Sequence, residues 1–434
     1  MQTGSHELVR IFGGRLGVQL HIHAAEMLLE SESRRQSSAQ VAAEQDDGIA
    51  QQTLSTQILR GQAMTQKEIR VGIIGANAKS SWAKVSHVPA INGLPGLKLA
   101  AVATRNEQSA REAAEAFGAE HWFSDPFAMI DDDQIDVITI SVKVPEHREL
   151  VLAALDAGKA VYCEAPLGRT VAEAEEMAGA VGLLHTAIGL QGRLNSAVRD
   201  AARLISSGKI GRPLNARIVS TNIGFGPALP SSYDYFNKKS CGANLLTINA
   251  GHTLDLLEAV LGPIIEVDAR TEILWPVVRL TDTGEESLRE TADHVAVLGK
   301  TQSGAVFTAD IHGGVAPQDT RSSFEIRGSE AWLCLTGDHP YGFQAGDLNL
   351  TSNIPFAKPE EAAVSNGFMG GAINVGEVYA HLARDLHAGT YNTPGFDHAL
   401  HNARLIDAVR RAAERGERQK TVLPDRAGLL TQVQ

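Results

Sequence analysis

Between residues 69 and 163 the chain alternates short apolar runs with stretches of helical periodicity. Residues 69–74 are an apolar run that breaks at Gly75 into a loop of small residues. A second run follows at 97–103. A third, at 137–142, comes after the acidic turn Asp131-Asp132-Asp133 and ends in Lys143-Val144-Pro145-Glu146-His147. A helix is predicted over 150–157, closed by Gly158, and a fourth strand over 160–163 leads into Glu164-Ala165-Pro166-Leu167. Strand, small-residue turn, helix and strand make the first unit of a dinucleotide-binding fold. The turn brings backbone N–H groups close to a pyrophosphate, and the positive end of the next helix faces it. The loop departs from G-x-G-x-x-G: Asn77 stands at the second glycine, and the stretch 80–84 has no glycine.

After Leu190-Gln191-Gly192-Arg193 the pattern changes. An amphipathic helix is predicted over 195–208, with Val198, Ala201, Ala202 and Ile205 on one face. Strand-like runs follow at 214–221, 265–273, 293–299, 304–311, 322–327 and 331–336. Several strands with few helices between them read as a largely antiparallel sheet. A last helix, about 397–415, puts Leu400, Ala403, Ile406, Val409 and Ala413 on one face. The expected fold class is α/β: a doubly wound parallel sheet, joined to an α+β domain with a largely antiparallel open sheet. Expected domain limits are 68–190 and 191–420, with an extension at 1–67 and a tail at 421–434.

The end of the second strand is where such folds read the adenosine ribose. An acidic residue there binds the 2′-hydroxyl, whereas an Arg accommodates a 2′-phosphate. Thr104-Arg105 therefore predicts NADP in preference to NAD. The bland alternative is a solvated Arg at a helix start.

Composition narrows the partners. A net charge of −12 argues against a general nucleic-acid surface. No apolar run reaches the length of a membrane span. Cys163, Cys241 and Cys334 form no C-x-x-C pair, which fits a reducing cytoplasm and offers no metal cage. No His/Asp/Glu cluster has metal-ligand spacing along the sequence, so no metal is expected. Residues 1–63 are rich in Gln and Ser, and are expected to be disordered and dispensable for folding. Met64 offers itself as a natural start, with a regulatory or targeting arm as the alternative.

The segments VGIIG, SVKVPEHRELVLAALDAGKAVYCEAPL and GHTLD resemble the glucose–fructose oxidoreductase/inositol dehydrogenase (Gfo/Idh/MocA) family over roughly residues 68–420. SSWAKVSHVPAI, SVKVPEH, LQGR and NLLTINAGHTLD are similar to the subgroup that holds the fungal galactose-pathway repressor and its bacterial relatives. The resemblance implies a nicotinamide cofactor and a second domain whose open sheet face serves self-association, as a homodimer or homotetramer. It also implies hydride transfer to or from a sugar, polyol or related cyclic alcohol. The implied cofactor contacts are Gly75, Asn77, Ser80, Ser81, Trp82, Thr104, Arg105, Val142, Lys143, Pro145, His147, Glu164 and Ala165. The implied substrate contacts are Gln191, Arg193, Tyr233, Tyr235, Asn249 and His252.

Hydride transfer needs a group that takes or gives the hydroxyl proton. The family supplies a Lys in E-K-P, and an Asp and a His in D-x-x-x-H. Here Ala165 stands at the Lys and Ile248 at the Asp, with Thr247 one residue earlier, and only His252 matches. Lys143, at the end of the neighbouring strand, is the candidate replacement; the alternative is that it binds cofactor phosphate or Glu146. A cationic Lys143 beside His252 would lower the histidine's pKa and keep it neutral. Tyr233 and Tyr235 can donate hydrogen bonds or line a sugar pocket. Arg193 has an ordinary ion pair as its alternative, and His252 a satisfied core position. His147 is expected to cap the helix that follows it. The class-distinct rival to an enzyme is a dinucleotide-binding regulator that contacts another protein and does no chemistry.

Overall fold

A computed structural model describes residues 67–357 and 367–423. The expectations for residues 1–63 lie outside the described residues.

The first sheet has six parallel strands: β1 (Ile69–Ile74), β2 (Leu97–Ala103), β3 (His121–Phe123), β4 (Val137–Ile140), β5 (Ala160–Cys163) and β6 (Thr186–Ile188). Their order, β3-β2-β1-β4-β5-β6, is that of a doubly wound dinucleotide-binding sheet. The central strands are buried on both faces, so they read as unbroken apolar runs rather than alternating ones. The helix after β1 is split into α1 (Trp82–Val85) and α2 (His87–Gly93), with Ser86 between them out of helical geometry. Then come α3 (Glu107–Phe117), α4 (Pro126–Ile130), α5 (His147–Asp156) and α6 (Val171–Gly179). Local chemistry sets their ends. Asn106, Asp125 and Thr170 each accept a backbone N–H at a helix start, and Gly118 closes α3 in the left-handed region.

The second sheet has eight strands. In chain order they are β7 (Pro213–Thr221), β9 (Ile264–Glu272), β12 (His294–Thr301), β13 (Val306–His312), β14 (Ser322–Gly328), β15 (Trp332–Gly337), β16 (Asn349–Ser352) and β17 (Gln419–Lys420). Only the β7–β13 pair is parallel among them. The six strands expected in this half all appear. The short β8 (Ala228–Leu229), β10 (Val277–Leu280) and β11 (Glu286–Leu288) form a separate small sheet that the pattern did not reveal. Alternation assigns the faces of the large sheet. Val295, Val297, Phe307, Ile311, Phe324 and Ile326 are buried. They share a core with α7 (Ser196–Ser206), α8 (Gly251–Leu261) and α10 (Phe396–Arg415). On α10 the buried stripe is Leu405, Ile406, Ala408, Val409 and Ala412, rotated from the expected one, and Leu400 and Ala403 are only half-buried.

A helix not expected from the pattern, α9 (Gly371–Ala388), crosses back to the first sheet. Its Val375, Val378, Tyr379 and Leu382 pack with Ile69, Val71 and Leu99. Phe396 and Ala399, at the start of α10, join the core on the other side of the same sheet. The domain built on the first sheet therefore draws on the far end of the chain, which a single cut at residue 190 does not provide.

Tyr379 anchors α9. Its hydroxyl lies 3.0 Å from His87 Nδ1 and 2.8 Å from Thr139 Oγ1, and all three residues are buried. Tyr379→Phe keeps the ring and strands both partners, which costs about 1–3 kcal/mol. Urea denaturation should show a lower midpoint with an unchanged slope; a midpoint equal to the parent's would remove Tyr379 as the anchor.

Candidate active site

The carboxyl edge of the first sheet gathers the ends of β1, β4, β5 and β6. Open α/β sheets bind ligands at this edge, where the strand order reverses. Gly75 ends β1 with φ +97°, and a Cβ there would sit 2.3 Å from the carbonyl oxygen of Ser141 and 2.9 Å from Val142 Cγ1. Only glycine fits. The loop beyond it is tied to itself. Asn77 Oδ1 accepts from the N–H groups of Lys79 and Ser80, and Ser81 Oγ donates to the Asn77 carbonyl while accepting from Lys84 N. Asn77 thus does by side-chain hydrogen bonding what a second glycine does by conformational freedom, at the expense of two N–H groups. Trp82 lies edge-on to Tyr341, and its Nε1 is buried without a partner.

At the end of β2, Thr104 Oγ1 lies 2.5 Å from Ser109 Oγ, and Asn106 caps α3. Arg105 is exposed and makes no ion pair among the described residues.

After β4, Lys143 opens a 3-10 turn, Val144–Glu146, that includes Pro145. Its Nζ lies over the Tyr235 ring, 4.6 Å from the centroid. Lys143 and Tyr235 are therefore brought together, which neither alternative for Lys143 anticipated. Tyr235, Tyr233 and Phe236 form one aromatic group within the 3-10 stretch Ser231–Asn237. Burial pushes the Tyr235 phenol far up, so it acts as a donor and not as a base.

His147 is fully buried. Its Nδ1 lies 3.1 Å from the Pro166 carbonyl and its Nε2 3.2 Å from the Val142 carbonyl. It makes no cap on the helix it begins, contrary to expectation. Both ring nitrogens face backbone, so the imidazole pins the loop after β4 to the loop after β5 and leaves no atom for a cofactor.

After β5, Glu164 Oε1 lies 2.8 Å from His87 Nε2. Its other oxygen is 2.8 Å from where a Cβ on Gly189 would stand, so glycine at 189 makes room for the carboxylate. His87 was not singled out from the sequence; its motif, SHVPAI, carried the only signal. Ala165, at the position of the family lysine, has no ionisable group, and the Ala165–Pro166 bond is cis. Cys163 is buried beneath, its thiol pushed well up by burial.

His252 lies at the start of α8, 5% exposed, with Nδ1 unpartnered. Its pKa is lowered by burial, against the pull of the Glu164 and Asp255 carboxylates. The expected cause, repulsion from Lys143, is not among the influences on it. The residues before it form a π turn, Leu246–Ala250, with Ala250 N bonded to Leu245 O. Such a turn inserts one residue into a helix, and such insertions are frequent at functional sites. Neither Ile248, four before His252, nor Thr247, five before it, carries a charge, and Thr247 is bound to Asn244.

Asn249 donates from Nδ2 to the Tyr341 carbonyl, and its Oδ1 is unpartnered. Gln191 is 1% exposed, with Oε1 unpartnered. Arg193 has a structural partner: it donates to Asp255 Oδ1 at 2.5 Å, inside a buried cluster with His398. Burial raises the Asp255 pKa, but Arg193 and His398 outweigh it and hold the group below the usual carboxylate range. Arg193 is thus placed to support α8 from behind.

Residues 69–184 match the model of an oxidoreductase family with an NAD-binding Rossmann fold, and residues 196–337 match the Gal80p C-terminal domain. Dehydrogenase aclE of Aspergillus oryzae is 28% identical over 81% of this chain and 98% of its own length. The galactose/lactose metabolism regulatory protein GAL80 of Kluyveromyces lactis is 29% identical over 63% of this chain and 65% of its own. Among solved structures, a levoglucosan dehydrogenase in complex with NADH and L-sorbose superposes with a TM-score of 0.72 at 23% identity, over 82% of this chain and 99% of its own, a likeness of fold. The chain thus joins a region that matches the oxidoreductase family with an NAD-binding Rossmann fold to one that matches the Gal80p C-terminal domain, and both dehydrogenases and Gal80 regulators are among its relatives.

Proposed function

We propose that this protein is an NAD(P)-dependent oxidoreductase that moves a hydride between nicotinamide and the hydroxyl-bearing carbon of a sugar, polyol or related cyclic alcohol. One observation carries the reading. Gln191 Oε1, Asn249 Oδ1 and His252 Nδ1 are buried polar atoms without partners, on three of the residues named for substrate. Such atoms are costly to bury and are rare without a purpose. Hydroxyl groups of a carbohydrate would satisfy them.

The residues also fit a dinucleotide. Gly75 permits the close approach that a pyrophosphate needs, and Trp82 Nε1 offers a buried donor. The bound nicotinamide supplies the hydride acceptor. His252, kept neutral by burial, receives the hydroxyl proton as the C–H hydride leaves, and the substrate becomes a carbonyl compound. The Glu164 and Asp255 carboxylates stabilise the imidazolium that results. Lys143 and the Tyr235 hydroxyl hold a substrate oxygen in place. Arg105, with no acidic neighbour in its turn, favours NADP. Three unpaired thiols agree with a reducing cytoplasm.

The missing lysine and aspartate favour a second reading, a dinucleotide-binding regulator without turnover. The match of the second domain to the Gal80p model points the same way.

Three measurements test these assignments. Gly75→Ala forces a Cβ against Ser141, a strain of about 1–3 kcal/mol at a special backbone position. NADPH affinity by calorimetry should fall at least tenfold, and unchanged affinity would move the cofactor away from this turn. The parent should bind NADP(H) more tightly than NAD(H), and Arg105→Ala should abolish the difference. Equal affinities in the parent would remove the ribose argument.

The third measurement concerns chemistry. Removing a positioned general base typically costs about 10²–10⁴-fold in rate. With a substrate found in a sugar and polyol panel, His252→Ala should lose turnover on that scale, and Lys143→Ala at least tenfold, with cofactor affinity retained. If neither loses tenfold, the roles are misassigned. If nothing in the panel turns over while NADPH binds tightly, the regulator takes precedence.

A further inference from the structure

The open face of the eight-stranded sheet carries a cluster that the proposed active site does not use. His294 on β12 and His312 on β13 are directly opposite one another in antiparallel register. Asp310 lies two residues before His312, so its side chain emerges on the same face. The two imidazoles stack, with centroids 4.8 Å apart and planes within 8°. His294 Nε2 is 2.8 Å from Asp310 Oδ1, and His312 Nε2 is 3.2 Å from Oδ2.

We propose that His294, Asp310 and His312 form a binding site for a divalent transition metal of the Zn²⁺ class. Two imidazoles and one carboxylate are a donor set that such ions prefer over Mg²⁺ or Ca²⁺. The ligand atoms all lie within 4.8 Å of one another. Zn–N and Zn–O bonds of about 2.0–2.2 Å in tetrahedral geometry place neighbouring ligand atoms about 3.3 Å apart. The observed separations from imidazole nitrogen to carboxylate oxygen, 2.8 and 3.2 Å, are close to that spacing, and an ion enters once the two stacked rings turn so that their in-plane lone pairs converge on it. The scaffold is suited to hold it. The ligands come from two strands paired without a bulge from His294 to Lys300, and a strand fixes ligand direction better than a loop. Three protein ligands leave one tetrahedral position open to water or to a donor from another molecule. All three side chains are partly exposed, which gives the ion an entry path.

Spacing along the chain hides this site. Its signature is Asp-x-His on one strand, with the third ligand on the neighbouring strand, and it becomes visible only once the register is known. It does not depend on the active-site reading, since none of its residues belongs to that edge.

Calorimetric titration of the full-length protein with Zn²⁺ tests it, against H294A and the conservative H312Q. The histidines elsewhere in the chain are common to all three proteins and give a constant background. The parent should bind one more equivalent per chain than either variant, or bind it at least tenfold more tightly. Thermal unfolding in metal-free buffer confirms that each variant is folded. Co²⁺ provides a second readout: the visible bands of a low-coordinate centre should appear in the parent and be absent from H294A. Equal Zn²⁺ stoichiometry and affinity in the parent and both variants would overturn the site.

Discussion

The hydrogen bond between His87 and Glu164 is the contact on which the edge of the first sheet depends. Glu164 follows β5 and His87 begins α2. The second nitrogen of His87 meets Tyr379 on α9, whose hydroxyl also reaches Thr139 on β4. One chain of polar contacts thus joins a helix close to the cofactor turn, two central strands, and a helix from the distant end of the sequence. Buried polar groups are favourable only when fully paired, and a paired network fixes one arrangement of its members. The carboxylate so fixed also acts on His252, opposing the effect of burial on its pKa. Part of the charge environment of the proposed proton acceptor is therefore set by packing several elements away.

Burial, rather than a neighbouring cation, keeps His252 neutral, and this changes how the site should be understood. Lys143 is occupied by the face of Tyr235. The charges that act on the histidine are carboxylates, which favour its protonated form once a proton arrives. A base that is neutral at rest, with carboxylates near it, resembles the charge arrangement that general-base catalysis needs. Ala165 and Ile248, at the positions where E-K-P and D-x-x-x-H have lysine and aspartate, carry no charge, so the site has fewer charges to balance. Asp255, although close in sequence, is committed to Arg193 and His398 behind α8.

The fold was largely legible in the sequence because its signals were local. Buried parallel strands appear as apolar runs, half-exposed antiparallel strands alternate, and both patterns survive without knowledge of partners. The failures share a cause. The apolar spacing of α9, at Val375, Val378, Tyr379 and Leu382, is helical, yet nothing local says that it packs on the first sheet. The buried stripe of α10 is displaced because the helix serves two cores at once. The π turn before His252 has no signature in a residue count. His147 was legible as present but not as pinned, because its partners are backbone carbonyls, which any sequence provides.

What remains of the site's chemistry sits on atoms, not residues. Arg193 and Gln191 are neighbours in one short 3-10 turn, and both are buried. Arg193 is drawn into an ion pair within the protein, whereas the carbonyl oxygen of Gln191 ends without a partner. The same division holds within α8 and the turn before it: Thr253 donates back to the Asn249 carbonyl, while Asn249 Oδ1 and His252 Nδ1 are left over. Buried polar atoms are ordinarily paired, and these three lie on residues of the proposed substrate site. Gln191 Oε1 and Asn249 Oδ1 are acceptors and His252 Nδ1 is a tautomeric nitrogen, so the hydroxyl donors of the proposed carbohydrate would complete all three.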